Sequence, residues 1–508
     1  MPIISAPDGT SLAYHVEGEG EPLICLPGGP MRASAYFGDL GGLTAHRTLV
    51  KLDLRGTGDS AVPADPATYR CDRLVDDVEA LRAHLGLDRA DFLAHSASGN
   101  LAVLYAAAHP TRVRSLTLVT PSARAVGVVG TDQDLRDAAA LRRGEPLYDE
   151  ALAALEEYFA GRDPHEVWAA VEPLMYGRWD RTAREHAAAD AHQANPQARS
   201  AYYADGAFDP AATVKALTAL EAPVLVLAGE YDVDLTPARA AEAAALFPHA
   251  EVAVQAGAAH YPWLDDPGAF RRTVAAFLDP DVRSVTTPDG VRLAYRVRGA
   301  AEAPPVVLAH GRGGSAHEWA GIAEQLAATH RVYALDFRGH GLSDWPGGYG
   351  FDVFREDLRA FIRALGIEGT AVVGHSMGGI AAYLLAADAP SLVGRLVVED
   401  APALFPLDPP RPMAERPEDD TDFDWPVVPA TDAQRNAPDP GWREALGAVT
   451  APTLVIAGGA TSHVNQEQLS WLVEQIPDAR LVTIDAGHLI HETRPAEFLA
   501  VIRDFGLA

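Results

Sequence analysis

The sequence predicts an α/β chain folded as two consecutive domains, each a mostly parallel, doubly wound sheet with an inserted helical lid. Three observations carry this reading. The chain has 508 residues, more than one ordinary hydrophobic core accommodates. Short apolar runs alternate with amphipathic helical patterns, the signature of strands joined by helices on both faces of a sheet. Finally, the landmarks of the first half return in the same order in the second.

The repeat is explicit. Ala6-Pro7-Asp8-Gly9 returns as Thr287-Pro288-Asp289-Gly290, and Leu52-Asp53-Leu54-Arg55-Gly56 as Leu335-Asp336-Phe337-Arg338-Gly339. Ala94-His95-Ser96 matches Gly374-His375-Ser376, and Gly257-Ala258-Ala259-His260 matches Ala486-Gly487-His488. The join falls near Phe277-Leu278-Asp279-Pro280-Asp281, where a helical pattern (Phe270 to Leu278) meets the first strand of the second copy (Ser284 to Thr287), so the domains are 1–280 and 281–508. No Gly/Ser-rich tether separates them, and the halves are expected to pack together.

In the first half the strand candidates are Pro22–Leu26, Leu49–Leu54, Asp91–Ala94, Leu116–Val119, Val224–Ala228 and Glu251–Val254. In the second they are Val306–Ala309, Val332–Leu335, Ala371–Val373, Leu396–Val398, Thr453–Ala457 and Leu481–Ile484. A long insertion precedes the last two strands of each half. The first, about 121–221, is helical in pattern and aromatic; the second, about 401–450, is shorter and rich in Pro and Asp. Insertions at that place read as lids over a site.

A net charge of −29, from 41 basic and 70 acidic residues, argues against a nucleic-acid groove or an anionic membrane as partner. No apolar stretch approaches a membrane span, and no secretory signal pattern opens the chain. The two cysteines, Cys25 and Cys71, read as core residues in a reducing cytoplasm. Phosphate-loop, zinc-protease and paired-cysteine motifs are absent, and no cofactor or metal is expected.

Two turns carry the chemistry. Gly374-His375-Ser376-Met377-Gly378 fits a G-x-S-x-G elbow between a strand and a helix, where the serine sits on a tight turn and its flanking positions must be small. Ala94-His95-Ser96-Ala97-Ser98 keeps the serine and replaces the glycines with Ala and Ser. A serine hydroxyl needs a base, and the base needs an orienting carboxylate. His260 and His488 follow the last strand of each half and supply the bases. The acid of the first half is Asp232, just past a strand, with Asp234 as the fallback. The corresponding stretch of the second half, Gly458 to His463, contains no carboxylate. Asp400 is therefore assigned there, with Glu399 second and a degenerate site as the alternative. Oxyanion donors are expected from the backbone after each serine, Ala97 and Met377, and from the Gly-rich turns, at Gly29 and Arg312. The Arg312 side chain could instead face an anionic substrate.

At these residues both halves resemble the α/β-hydrolase superfamily. Gly28-Gly29-Pro30 and Asp53-Leu54-Arg55-Gly56-Thr57-Gly58-Asp59-Ser60 make the first half similar to the proline iminopeptidase-like branch, although Pro27, Met31, Ala94 and Ala97 depart from its pattern. The second half resembles esterase- and C–C-hydrolase-like members. The resemblance implies a serine hydrolase acting on an ester or amide of a small molecule or short peptide, with carboxylesterase, lactonase and thioesterase chemistry as alternatives. It also implies that a lid carboxylate holds a substrate amine, for which Glu156, Glu157, Glu166 and Glu172 are available.

Overall fold

Eight strands in each half pair into one sheet. The computed structural model describes residues 2–417, 421 and 423–507, and its contacts divide the chain into Met1–Leu278 and Asp279–Ala508. In the first unit the strands are β1 (Ile3–Ser5), β2 (Ser11–Glu17), β3 (Pro22–Leu26), β4 (Thr48–Leu52), β5 (Ala90–His95), β6 (Val113–Val119), β7 (Val224–Gly229) and β8 (Ala250–Gln255). In the second they are β9 (Val282–Thr286), β10 (Arg292–Arg298), β11 (Pro305–Ala309), β12 (Arg331–Leu335), β13 (Thr370–His375), β14 (Val393–Glu399), β15 (Thr453–Ala457) and β16 (Ala479–Thr483).

The first sheet runs β1-β2-β4-β3-β5-β6-β7-β8, and the second has the same order, β9-β10-β12-β11-β13-β14-β15-β16. From β4 and β12 onward the pairing is parallel, as in Ile24↔Phe92 and Val307↔Val372, while the opening strands pair antiparallel. The predicted apolar runs all lie within or across strands of these sheets. Of the opening antiparallel strands the sequence marks β9, at Ser284–Thr287, whereas β2 escapes because Ser11–Glu17 is exposed at both ends and carries His15 and Glu17. The middle strands are buried on both faces, every residue of β5 and β7 included, which is why they read as continuous apolar runs.

The Pro-Asp-Gly and Asp-x-Arg-Gly repeats explain each other. Arg55 bonds Asp77 in the helix Val75–His84 and Asp8 in the β1–β2 turn. Arg338 bonds Asp357 and Asp289 in the same way. Each arginine thus fastens the opening hairpin to a helix, Val75–His84 in the first unit and Phe351–Leu365 in the second, and it is a structural staple.

The insertion of the first unit folds into helices Asp132–Ala140, Tyr148–Phe159, Pro164–Val171, Arg181–Gln193, Pro196–Tyr202 and Pro210–Leu217. Several begin on a side-chain cap, as at Asp180, Asn195 and Asp209, which satisfies the otherwise unpaired first N–H groups. The second insertion holds Val427–Asn436 and Pro440–Glu444; residues 418–420 and 422 of that predicted lid lie outside the described residues. Cys25 and Cys71 are free and buried, and burial pushes the Cys71 thiol up to about 12. Among the described residues no helix is long and apolar enough to cross a membrane.

Candidate active site

Both serines sit where strand turns into helix, after β5 and β13. Their φ angles are +52° for Ser96 and +49° for Ser376, a strained region for a residue with a side chain. The elbow needs small neighbours because the chain doubles back. A Cβ on Gly374 would lie 2.5 Å from the Gly378 carbonyl oxygen, and one on Gly378 would lie 2.3 Å from that of Ala309. In the first unit Ser98 fits at the equivalent place by donating its hydroxyl to the Pro27 carbonyl at 2.5 Å.

In the first unit the predicted residues converge. Ser96 Oγ lies 2.9 Å from His260 Nε2, and His260 Nδ1 lies 3.1 and 3.2 Å from the two oxygens of Asp232. All three are buried, Asp232 completely. Asp234 is not the partner of His260; its backbone N–H donates to Asp232 Oδ1 at 2.9 Å and holds the carboxylate in place. Burial alone would lower the basicity of His260, but the charge and hydrogen bond of Asp232 outweigh it and hold the imidazole above its ordinary 6.5. Its backbone is pinned as well. The His260 carbonyl accepts from Thr120 Oγ1 at 2.8 Å and contacts His95 Nε2 at 2.9 Å, while its N–H donates to Met175 of the insertion at 3.0 Å. Burial, followed by the neighbouring His260, pushes His95 well below 6.5, so His95 is a neutral positioning residue.

The Gly-rich turn lies against the serine. A Cβ on Gly28 would approach Ser96 Cβ to 2.8 Å. The Gly28 N–H is taken by the Tyr36 hydroxyl at 2.8 Å, whereas among the described residues no group accepts from the N–H of Gly29 or Ala97. Those two donors were the ones expected from the sequence, and Tyr36 was not anticipated.

The second unit brings the same residue types together with one link unmade. His488 Nδ1 lies 2.7 Å from Asp400 Oδ2. Asp400 also accepts from the Gly458 N–H at 2.9 Å and the Ser462 hydroxyl at 2.5 Å. Burial opposes ionisation of Asp400, but these hydrogen bonds prevail and hold its pKa below the usual 3.8. Glu399, the second choice for the acid, turns the other way and binds His491 Nδ1 at 2.9 Å in a fully buried pair. No hydrogen bond joins Ser376 to His488 among the described residues, and the His488 ring instead lies 4.2 Å from that of His463. In the turn after β11, Gly311 donates to Glu318 at 3.1 Å. No described group accepts from the Arg312 or Met377 N–H.

Of the four insertion glutamates, Glu156 is exposed and pairs with Arg136, and Glu157 and Glu166 are exposed and face Arg162. Glu172 differs. It is half-buried, and burial raises its pKa, with Asp190 adding and Arg32 opposing. It stands three residues before Met175, whose carbonyl holds the His260 N–H. The only described His/Asp/Glu group compact enough for a metal is His15, Asp53 and Asp59. Asp53 there already accepts from Ser34 and Asp59 N–H groups, so it serves the turn.

Two mostly parallel sheets, each with a serine elbow and a histidine after the last strand, define an α/β hydrolase. The chain belongs to the α/β hydrolase fold family, whose model matches residues 21–267 and again 304–440. It is 36% identical over 123 residues to an uncharacterized protein of Mycobacterium tuberculosis, covering 24% of this chain and 36% of that protein. The chain thus spans about a third of that relative's length. It is 27% identical over 241 residues to the esterase YbfF of Escherichia coli, covering 40% of this chain and 92% of that protein. A solved hydrolase of Pseudomonas aeruginosa shares 27% identity, covering 44% of this chain and 98% of its own, with a TM-score of 0.40.

Proposed function

We propose that the first domain is a serine hydrolase acting on an ester of a small molecule. The observation that carries this reading is the continuous buried chain Ser96–His260–Asp232, with contacts of 2.9 and 3.1 Å. His260 takes the hydroxyl proton as Ser96 attacks the carbonyl, and Asp232 holds the imidazole in the required tautomer and stabilises its charge. The Gly29 and Ala97 N–H groups receive the oxyanion. His260 then gives the proton to the leaving alcohol, and water releases the acyl group by the same steps in reverse order. The esterase name of the Escherichia coli relative, matched over 40% of this chain, supports ester over amide chemistry for the family of both halves.

The test is fluorophosphonate labelling of the full chain followed by peptide mapping. Label is expected on Ser96; an unlabelled Ser96 in a chain that hydrolyses aryl esters overturns the assignment.

A second reading, preference for a free amine as in iminopeptidase-like enzymes, is favoured by Glu172 alone. A half-buried carboxylate beside the His260 loop would hold an ammonium by a charge-assisted hydrogen bond. Proline arylamide and its N-acetylated form share a leaving group and separate the two readings. Faster cleavage of the free amine, lost in Glu172→Gln, selects the aminopeptidase reading; equal turnover of both, or activity on esters alone, selects the esterase.

For the second domain, Asp400 and His488 support the same chemistry at Ser376, with the serine–histidine bond forming only when substrate arrives. Catalytic hydrogen bonds are often long before substrate binds.

A further inference from the structure

In the second unit two arginines share one carboxylate, a third stands on the same helix as that carboxylate, and one of the pair adjoins the serine turn. Arg312 follows Gly311, whose Cβ position lies 3.4 Å from Ser376 Cβ. Its Nη1 donates to Thr431 Oγ1 at 3.1 Å and Asp432 Oδ1 at 2.8 Å. Arg411 Nη1 donates to the same oxygen at 3.2 Å, and its backbone is clamped by Asn436 at 2.7 and 3.0 Å. Arg435, on the same helix as Asp432, lies over the Phe351 ring at 5.7 Å. Its Nε is shut off from solvent without an acceptor, and no described residue accepts from its other nitrogens.

Among the described residues Asp432 is the one carboxylate that bonds these arginines, and none bonds Arg435. Burial, then the charges of Arg411 and Arg312, push Arg435 down to about 10, with Asp432 opposing; it remains a cation at neutral pH. The same charges reach His463, with Asp400 opposing them. Burial lowers the pKa of His463, whose ring adjoins His488, and His488, Arg435 and Arg411 lower it further. Like charges brought together in a partly dry place are costly unless an anion joins them. The first unit differs at this turn: Gly29 stands where the second has Arg312, and its own Arg32 and Arg199 share Asp190.

We propose that Arg312, Arg411 and Arg435 form an anion subsite beside Ser376, which holds the carboxylate or phosphate group of a small-molecule ligand of the second domain. Guanidinium forks match both groups through paired N–H donors. The subsite is a property of binding, and it stands whether or not Ser376 turns over and whatever Ser96 does.

The test is calorimetric titration of the full chain at low ionic strength with glutarate, inorganic phosphate and neutral dimethyl glutarate. One saturable site is expected for an anion and none for the diester. Arg435→Met should weaken that site by at least about tenfold, the loss of one charge-assisted hydrogen bond. Arg411→Gln, a change at a more exposed side chain, should act in the same direction if Arg435→Met fails to fold by circular dichroism. Tighter binding of phosphate than of glutarate assigns a phosphorylated ligand, and the reverse a carboxylate. Absence of a saturable anion site, equal binding of the diester, or affinity unchanged in both folded variants overturns the proposal. A purely structural role would lower the melting temperature and leave anion affinity alone.

Discussion

The two halves use one backbone and orient their histidines from different strands. Ser96 and Ser376 take the same strand-end hydrogen bonds, to the carbonyls of Val119 and Glu399. One residue further, Thr120 and Asp400 donate their N–H groups to Leu227 and Ile456 and share a positive φ. After the next strand, Asp232 and Ser462 each accept the N–H two residues on, from Asp234 and Val464. The acid and the hydroxyl have therefore exchanged places. In the first half the carboxylate follows β7 and a threonine follows β6; in the second the carboxylate follows β14 and a serine follows β15. An imidazole can be oriented from either strand end because both lie beside the loop that carries it. The Ser96–His260 bond is made and the Ser376–His488 bond is not, so the halves also differ in readiness.

The largest effect separates the halves outright. Ser96→Ala should reduce ester hydrolysis attributable to the first site by on the order of 10⁴-fold or more, as removal of a triad nucleophile does. Ser376→Ala should leave that rate intact. Measuring kcat/KM for a short aryl ester in both variants shows which serine carries it. Equal losses in the two would mean that the halves do not work separately.

The exchange itself can be broken and rebuilt. Asp232→Asn should cost about 10⁴-fold in first-site kcat, and Asp400→Asn a similar factor in any Ser376-dependent rate. Combining Asp232→Ser with Thr120→Asp writes the second domain's arrangement into the first. It should recover about tenfold or more over Asp232→Ser alone, part of the ~10⁴-fold that a correctly placed acid supplies. No recovery, in a chain that still labels at Ser96, would show that the β6 end does not present a carboxylate to His260.

Much of this was readable from residues alone, for identifiable reasons. The serines, histidines and turn glycines lie in local motifs whose spacing follows from strand, turn and helix geometry. Asp400 was found by elimination, once Gly458–His463 offered no carboxylate. Thr120 and Ser462 were missed because a threonine or serine at a strand end carries no signal by itself, although the repeat sets Thr120 opposite Asp400. Tyr36 and Glu318 were missed for another reason: each reaches its glycine N–H across a turn, at Gly28 and Gly311, and that approach is tertiary. The arginine cluster joins residues 312, 411 and 435, and only the folded insertion brings them together.

The cores behind the two serines should also respond differently. Glu399 and His491 form a fully buried pair stacked on Trp319, with ring centroids 4.0 Å apart. The first half places Val119 and Trp263 at the matching positions, where no carboxylate meets an imidazole. Glu399→Gln keeps the shape but removes one acceptor of a buried imidazole. It should destabilise the second domain by about 1–3 kcal/mol, the cost of an unsatisfied buried polar group, read as a lower denaturant midpoint with an unchanged slope. Val119→Ile, a change of one methylene in the first half, tests packing instead, and both halves responding alike would remove the distinction.

The smallest effect is a shift in pH dependence, and it tests why the first site is the readier one. The base must be neutral to accept the Ser96 proton, so turnover falls as pH drops through the His260 pKa. Burial acts to lower that pKa, yet Asp232 outweighs it, with a further contribution from Asp265. The acid limb of first-site kcat/KM should therefore lie above pH 6.5. Asp265 accepts the Ala259 N–H at 2.8 Å, and burial raises its own pKa to about 6, so at neutral pH it is mostly ionised and stabilises the imidazolium. Asp265→Asn retains an acceptor for Ala259 and removes the charge. It should move the acid limb downward by less than about one unit, the scale of a non-contacting charge at an effective dielectric near 20. The plateau rate at high pH should hold, because neutral His260 and Asp232 are untouched. An acid limb below 6.5 in the unaltered protein, or an upward shift in Asp265→Asn, would mean that the titrating base is not a His260 held by buried carboxylates.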